Sequence, residues 1–421
     1  MNNSYGKSRG QSLDNYVAFF SFLVPILSLL KVELVGELYL HELILALIFP
    51  VLLSSSENFL SNKKRLAILF FGFSWLAAQV VADIILDTPI NDYLRGWAKV
   101  TLFIVSFCSI SLFLSDVKQS LFWISGIAIA SLFRPWQLFS TETDLALFWK
   151  FGGGYALLTL CCVPLLLKIK SENFQPAHIF SIAKVHFIFG VLSFLLNARS
   201  LAGVTIITGA LLYVYGRVSG RKINFGQISA MLILAAMLGY FLISIYSFSA
   251  SNGYLGADAQ DKYEMQNSFG GGVWTILLGG RSEGIVSTQA IIDSPWIGHG
   301  SWAKNYRYIE LLAEANRFFT TELGSGDLTI FDGLIPSHSY LLGTWVEGGF
   351  FSALFWIFVI YFILFEVLPL AIESRSMFAT YALMTMPLFL WNILFSPFGA
   401  NVRVEVATLL ALYCFLFREA K

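Results

Sequence analysis

Apolar runs long enough to cross a bilayer recur from end to end of this 421-residue chain, and one polar stretch of about 90 residues, Ser249 to Ser337, interrupts them. Backbone inside hydrocarbon must satisfy its own N–H and C=O groups, which leaves packed helices as the solution for runs of this length. Twelve runs fit, near residues 16–31, 38–54, 65–86, 98–115, 119–134, 153–169, 178–197, 200–216, 227–248, 339–365, 376–395 and 402–417. The expectation is an all-α polytopic membrane protein. Residues 1–248 carry spans one to nine, residues 249–337 form one large loop with amphipathic helices, and residues 338–421 carry spans ten to twelve. Composition agrees, with 57% hydrophobic and 13% charged residues against about 25% charged in soluble domains.

Charge sets the orientation and excludes some partners. Twenty-seven basic residues balance 27 acidic ones, which argues against a nucleic-acid binder. An even number of spans puts both termini on one side. With that side cytoplasmic, the inner segments hold fourteen Lys and Arg and the short outer ones seven, as the positive-inside bias requires. The polar loop is then outside. Lys7 and Arg9 precede the first run without a small-residue cleavage site, so that run reads as an uncleaved span. All four cysteines (Cys108, Cys161, Cys162, Cys414) lie in apolar runs and form neither a disulfide pattern nor a zinc pattern.

The basic residues that oppose the bias are the informative ones. Arg95, Arg134, Arg199 and Arg403 lie on the outer side next to span ends, where they either snorkel to headgroups or gather round an anion. In the loop, ten acids outnumber five basic residues. Arg281 follows Gly279 and Gly280 and opens a predicted helix stopped by Pro295, a setting that favours an anion near the backbone. A second amphipathic helix is expected over Lys304–Phe319, with Tyr308, Leu311, Leu312, Ala315 and Phe319 on one face. His299 reads as a turn residue between two glycines, and Glu322–Asp332 as a flexible acidic lid. The loop ends in IPSHSYLLGTWVEGGFF (Ile335–Phe351), with His338 where the chain re-enters the membrane and Ser337 as a helix cap. Glu347 lies two and a half turns further on and deeper. The acids of the outer loops, Glu33, Glu37, Asp87, Asp92, Glu142 and Asp144, show no ion-cage spacing, so no metal site and no cofactor is expected.

His338, Ser339 and Gly349, with Glu347 two residues before the glycine, resemble the histidine signature of the O-antigen ligase/polymerase superfamily. The run containing Arg281, Asp293, Pro295, Gly298 and Gly300 is similar to that superfamily's second hallmark, and the large outer loop between spans nine and ten matches it too. One departure is Ser352, where the signature ends in glycine; serine still allows close helix packing.

The resemblance implies a fold like the C-type membrane glycosyltransferases and metal-independent transfer of a glycan from an undecaprenyl diphosphate carrier to a sugar hydroxyl. It further implies His338 as general base, Arg281 and Arg199 on the diphosphate, and Glu347, Arg403, Arg134 and Arg95 as further substrate contacts. The setting would be the bacterial inner membrane with the site facing the periplasm. The acceptor is a growing glycan for a polymerase, the favoured reading, or lipid A–core for a ligase; a chain-length regulator is a further partner. A lipid-linked oligosaccharide flippase is the more distant alternative, and the absence of a span repeat speaks against it.

Overall fold

The computed structural model describes residues 4–34, 36–54, 59–138, 145–267, 281–319 and 332–419. The chain runs α1 (Ser4–Ile26), a hairpin of β1 (Lys31–Glu33) and β2 (Glu37–Tyr39), α2 (Leu40–Ser54), α3 (Lys63–Ile85), α4 (Ile90–Phe113) and α5 (Val117–Leu138). Next come α6 (Leu145–Leu166), α7 (Pro176–Leu195), α8 (Arg199–Val218) and α9 (Phe225–Ser251). The outer loop supplies α10 (Ala257–Asn267), α11 (Ser282–Asp293) and α12 (Tyr306–Phe319). The chain then closes with α13 (Tyr340–Glu373), α14 (Met377–Phe395) and α15 (Arg403–Glu419). Among the described residues nine helices are long and apolar enough to cross a membrane, and Asn15–Leu29 and Leu40–Ser54 are shorter apolar helices. The chain is therefore an all-α polytopic membrane protein, apart from the small hairpin.

Local chemistry sets the boundaries. Asn62 caps α3 by accepting from the Lys64 and Arg65 amides at 3.0 and 3.3 Å, and Asn224 forms a capping box with Gln227 at the start of α9. The turn expected at 197–200 is present: Asn197 takes the left-handed conformation (φ +57°), which asparagine tolerates better than most residues. It lets α7 and α8 fold back on each other. The hairpin was not legible in the sequence. Lys31 sits 3.0 Å from both Glu33 and Glu37 and ties its two strands together. In the outer loop α10 is an addition to the two helices expected there, Gly253 and Gly256 are turn residues with positive φ, and the acidic segment 320–331 lies outside the described residues.

The centre of the bundle is aromatic. Trp75 of α3 packs on Phe355 and Trp356 of α13 and on Phe398, with ring centroids 5.3 to 5.8 Å apart. Tyr340 closes the cluster from above, 5.0 Å from Trp356. Each pair adds about 0.5–1.5 kcal/mol beyond area burial. Outward the bundle shows Phe70, Ile84, Ile188, Ile233, Leu234 and Phe241, all mostly exposed, as expected of surfaces against lipid tails. The candidate site forms where the segment 281–339 meets the helices of this bundle.

Candidate active site

The outer loop is locked into the bundle by a turn that fills a break in α13. At Gly349 the helix takes φ +71°, ψ −170°, a conformation essentially confined to glycine. Val346 and Phe350, which would bond to each other in an unbroken helix, bond to the loop instead. The His299 amide donates to the Val346 carbonyl at 2.7 Å, and the Phe350 amide donates to the Pro295 carbonyl at 2.9 Å. The Gly300 amide also donates to the Glu347 carbonyl at 2.9 Å, and Trp345 Nε1 to Pro295 at 2.8 Å. Gly298 and Gly300 are required here because both take positive φ and a Cβ on Gly298 would lie 2.7 Å from Glu347 O. From the other side, Asp83 at the end of α3 accepts from Ser301 N (2.6 Å), Ser301 Oγ (2.7 Å) and Trp97 Nε1 (2.8 Å).

Behind the turn, α11 and α12 pack through Val286, Ala290, Tyr308 and Leu312 against Ile335 and Val346. Tyr308 donates to Asp293 at 2.7 Å, and that bond lowers the Asp293 pKa. His299 makes a 2.8 Å bond to the Ala290 carbonyl and serves the turn, as expected from its glycine neighbours.

This frame holds the stretch Ile335–Ser339. Ser287 Oγ donates to the Pro336 carbonyl at 2.9 Å. Ser339, in extended conformation, is the cap of α13: it accepts from the Leu342 amide at 3.1 Å and donates to the Ile393 carbonyl at 2.9 Å. The cap is thus Ser339, two residues later than the expected Ser337. His338 lies between these anchors with its side chain exposed, and among the described residues its imidazole has no hydrogen-bond partner. The surrounding protein nonetheless lowers its pKa by desolvation; Glu283 opposes the shift, and Arg281 and Lys150 add to it.

Arg281 immediately precedes α11. It donates one bond to the Phe395 carbonyl at 2.9 Å, and its guanidinium lies 4.8 and 4.6 Å from the Trp391 and Phe395 ring centroids. It makes no ion pair with Glu283 among the described residues, so the fork is oriented by one bond and two rings while most of its donors are left over. Its pKa is lowered, mainly by burial. Arg199, first residue of α8, is close enough to repel the Arg281 charge; it donates to Gln266 at 3.0 Å and lies 4.8 Å from the Tyr246 ring centroid. Lys150 was not singled out from the sequence. It stands in a widened turn of α6 where Gly152 reaches φ +129°. The signal available was a basic residue on the outer side just before three consecutive glycines, Gly152 to Gly154, and widened turns of this kind concentrate at functional sites.

The remaining expected contacts are not brought to this group. Arg403 is buried and forked onto Glu42 at 2.6 and 2.7 Å, with a third bond to the Glu37 carbonyl. Arg134 pairs with Glu405 at 2.8 Å, and Arg95 lies 3.8 Å from Asp92. Glu347 pairs with Lys99 of α4, a second residue the sequence reading passed over. No protein-family model and no curated protein matches the chain.

The group as it stands can hold an anion and take a proton. Arg281 and Lys150 act on His338 with positive charge, Arg199 acts on Arg281, and Glu283 acts on both His338 and Arg281. An imidazole whose pKa is lowered is neutral at neutral pH and free to accept a proton.

Proposed function

We propose that the chain is a membrane glycosyltransferase that moves a glycan from an undecaprenyl diphosphate carrier to a sugar hydroxyl. In this reading twelve spans, both termini cytoplasmic, carry a C-type-like fold in a bacterial inner membrane, and the outer loop with His338 faces the periplasm. The observation that carries the reading is the imidazole of His338, without a hydrogen-bond partner among the described residues, near Arg281, whose guanidinium bonds the Phe395 carbonyl and lies on the Trp391 ring.

The chemistry follows from those two groups. The acceptor hydroxyl gives its proton to the neutral imidazole while its oxygen attacks the anomeric carbon. The bond from that carbon to the diphosphate breaks, and the diphosphate leaves as an anion, so no general acid is needed. Attack from the face opposite the leaving group inverts the anomeric centre. Arginine meets the leaving oxygens with charge-assisted bonds worth about 1.5–3 kcal/mol each, and Arg199 adds charge nearby. A base in this position contributes about 10²–10⁴-fold to rate.

A polymerase extending lipid-linked repeat units is favoured over a ligase acting on lipid A–core, because the loop's ten acids against five basic residues suit an anionic core poorly. Reconstitution of purified protein with undecaprenyl-diphosphate-linked repeat units, with and without lipid A–core and without added divalent metal, tests this. Ladders of longer lipid-linked glycan without the core are expected. Product only with the core would make the protein a ligase, and lipid-linked glycan crossing the bilayer without transfer would make it a flippase.

A further inference from the structure

On the other side of the Ile335–Ser339 stretch from His338 lies a cleft of about 290 Å³, near the small end of the roughly 300–1,000 Å³ usual for small-molecule sites. Ser337 and Ser339 line it, while His338 between them does not. Its polar floor is the Lys99–Glu347 ion pair, and its walls include Trp302, Tyr340 and Phe398. The pair is nearly out of water, with side-chain exposures of 9% and 18%. Replacing such a pair with apolar residues is often neutral or stabilising, so stability alone does not explain it. The pair is also incomplete: Lys99 takes Glu347 Oε2, and among the described residues Glu347 Oε1 has no partner.

Trp302 is a second, independent observation. Its φ is +52°, a strained conformation for a bulky side chain. That backbone places the indole so that Lys99 Nζ lies 5.2 Å from its centroid. An aromatic wall is thus held beside a carboxylate oxygen and an ammonium. This combination suits a sugar ring, whose C–H face would lie on the indole, with one hydroxyl donating to Glu347 Oε1 and another oxygen accepting from Lys99.

We infer that this cleft is a carbohydrate site for a neutral hexopyranose of the acceptor glycan, separate from the anion-binding group around Arg281. The net charge of the pair is zero, which favours a neutral ring over an acidic one. The inference rests on the glycosyltransferase reading for its assignment to the acceptor.

The test uses full-length protein in nanodiscs and the free glycan released by mild acid from the host's lipid-linked repeat unit, which has neither lipid nor diphosphate. Binding is followed by saturation-transfer NMR and calorimetry, and transfer is assayed in parallel. Wild type is expected to bind the glycan. Glu347→Gln and Trp302→Ala should each weaken binding about tenfold or more, while Arg281→Ala should lose transfer and keep glycan binding. Thermal unfolding of each variant controls for misfolding: loss of binding counts against the fold unless the variant melts with wild type. Active wild type that does not bind the glycan, or cleft variants that bind as tightly as wild type, would overturn the site and leave the glycosyltransferase reading standing. Glycan binding that depends on Glu347, with no transfer by wild type, would instead sustain a carbohydrate site and remove its assignment to an acceptor.

Discussion

Gly349→Ala is expected to be among the most damaging single-methyl changes in the chain. The backbone there, φ +71° and ψ −170°, is strained for any L residue, at about 1–3 kcal/mol. The added Cβ would stand 2.1 Å from the Trp296 carbonyl oxygen and 2.7 Å from the Ile297 nitrogen. Both are backbone atoms, so no side chain can swing aside. Relief requires the 295–300 turn to back out of the helix, which breaks the bonds from His299, Gly300, Phe350 and Trp345. At about 0.5–1.5 kcal/mol each, those four bonds and the strain sum to roughly 3–9 kcal/mol. Thermal unfolding of the detergent-purified protein should show Tm falling by roughly 5 °C or more, with transfer lost. Gly239→Ala in α9 is the matched control, because a Cβ there meets nothing within 4 Å; it should leave Tm unchanged or slightly higher. A Gly349→Ala protein that melts with wild type would refute the interlocked turn.

Arg281→Ala should abolish transfer and Arg281→Lys should leave only a little, since an ammonium does not reproduce the fork; full activity in the lysine variant under the same assay would sink the forked contact. Because desolvation by the surrounding protein lowers the His338 pKa, the base stays neutral below the ordinary histidine value of about 6.5, and the acid limb of the pH–rate profile should lie below that point. Lys150→Met should move this limb to higher pH and Glu283→Gln to lower pH, the signs following from the charges that act on His338. By the same linkage, protonation of His338 favours the unfolded chain, so its contribution to stability is lost as pH falls through and below the ordinary range. Arg403→Met should destabilise by about 3–5 kcal/mol by stranding buried Glu42, and Glu42→Leu in the same chain should restore Tm; failure of that rescue would mean Arg403 serves something other than Glu42.

The helical architecture was legible because hydrocarbon admits few backbone solutions, and nine of the twelve apolar runs fall on helices that, among the described residues, are long and apolar enough to cross a membrane. Arg281 and His338 were legible as oddities: a cation after paired glycines, and a titratable group at a membrane edge. What the sequence hides is partnership across distance. Arg403 and Glu42 are separated by 361 positions, and several other outer acids would have served equally as partners on paper. Gly349 was visible as a glycine, but not as the socket for Gly298, since a break in a helix leaves no mark in hydropathy. The hairpin at Lys31–Tyr39 escaped notice because three-residue strands carry too little alternation to stand out.

The order of plug and socket along the chain has a consequence for how the protein is made. The turn at 295–300 is synthesised before α13, so in the proposed topology it would already wait on the outer side when Val346 and Glu347 emerge. Until it docks, α13 has open carbonyls at Val346 and Glu347 and cannot be released into lipid as an ordinary span. In the proposed topology, packing of the last three helices would therefore be coupled to export of the loop, and a chain whose loop fails to cross would stall as an assembly intermediate instead of forming a stable but inactive protein.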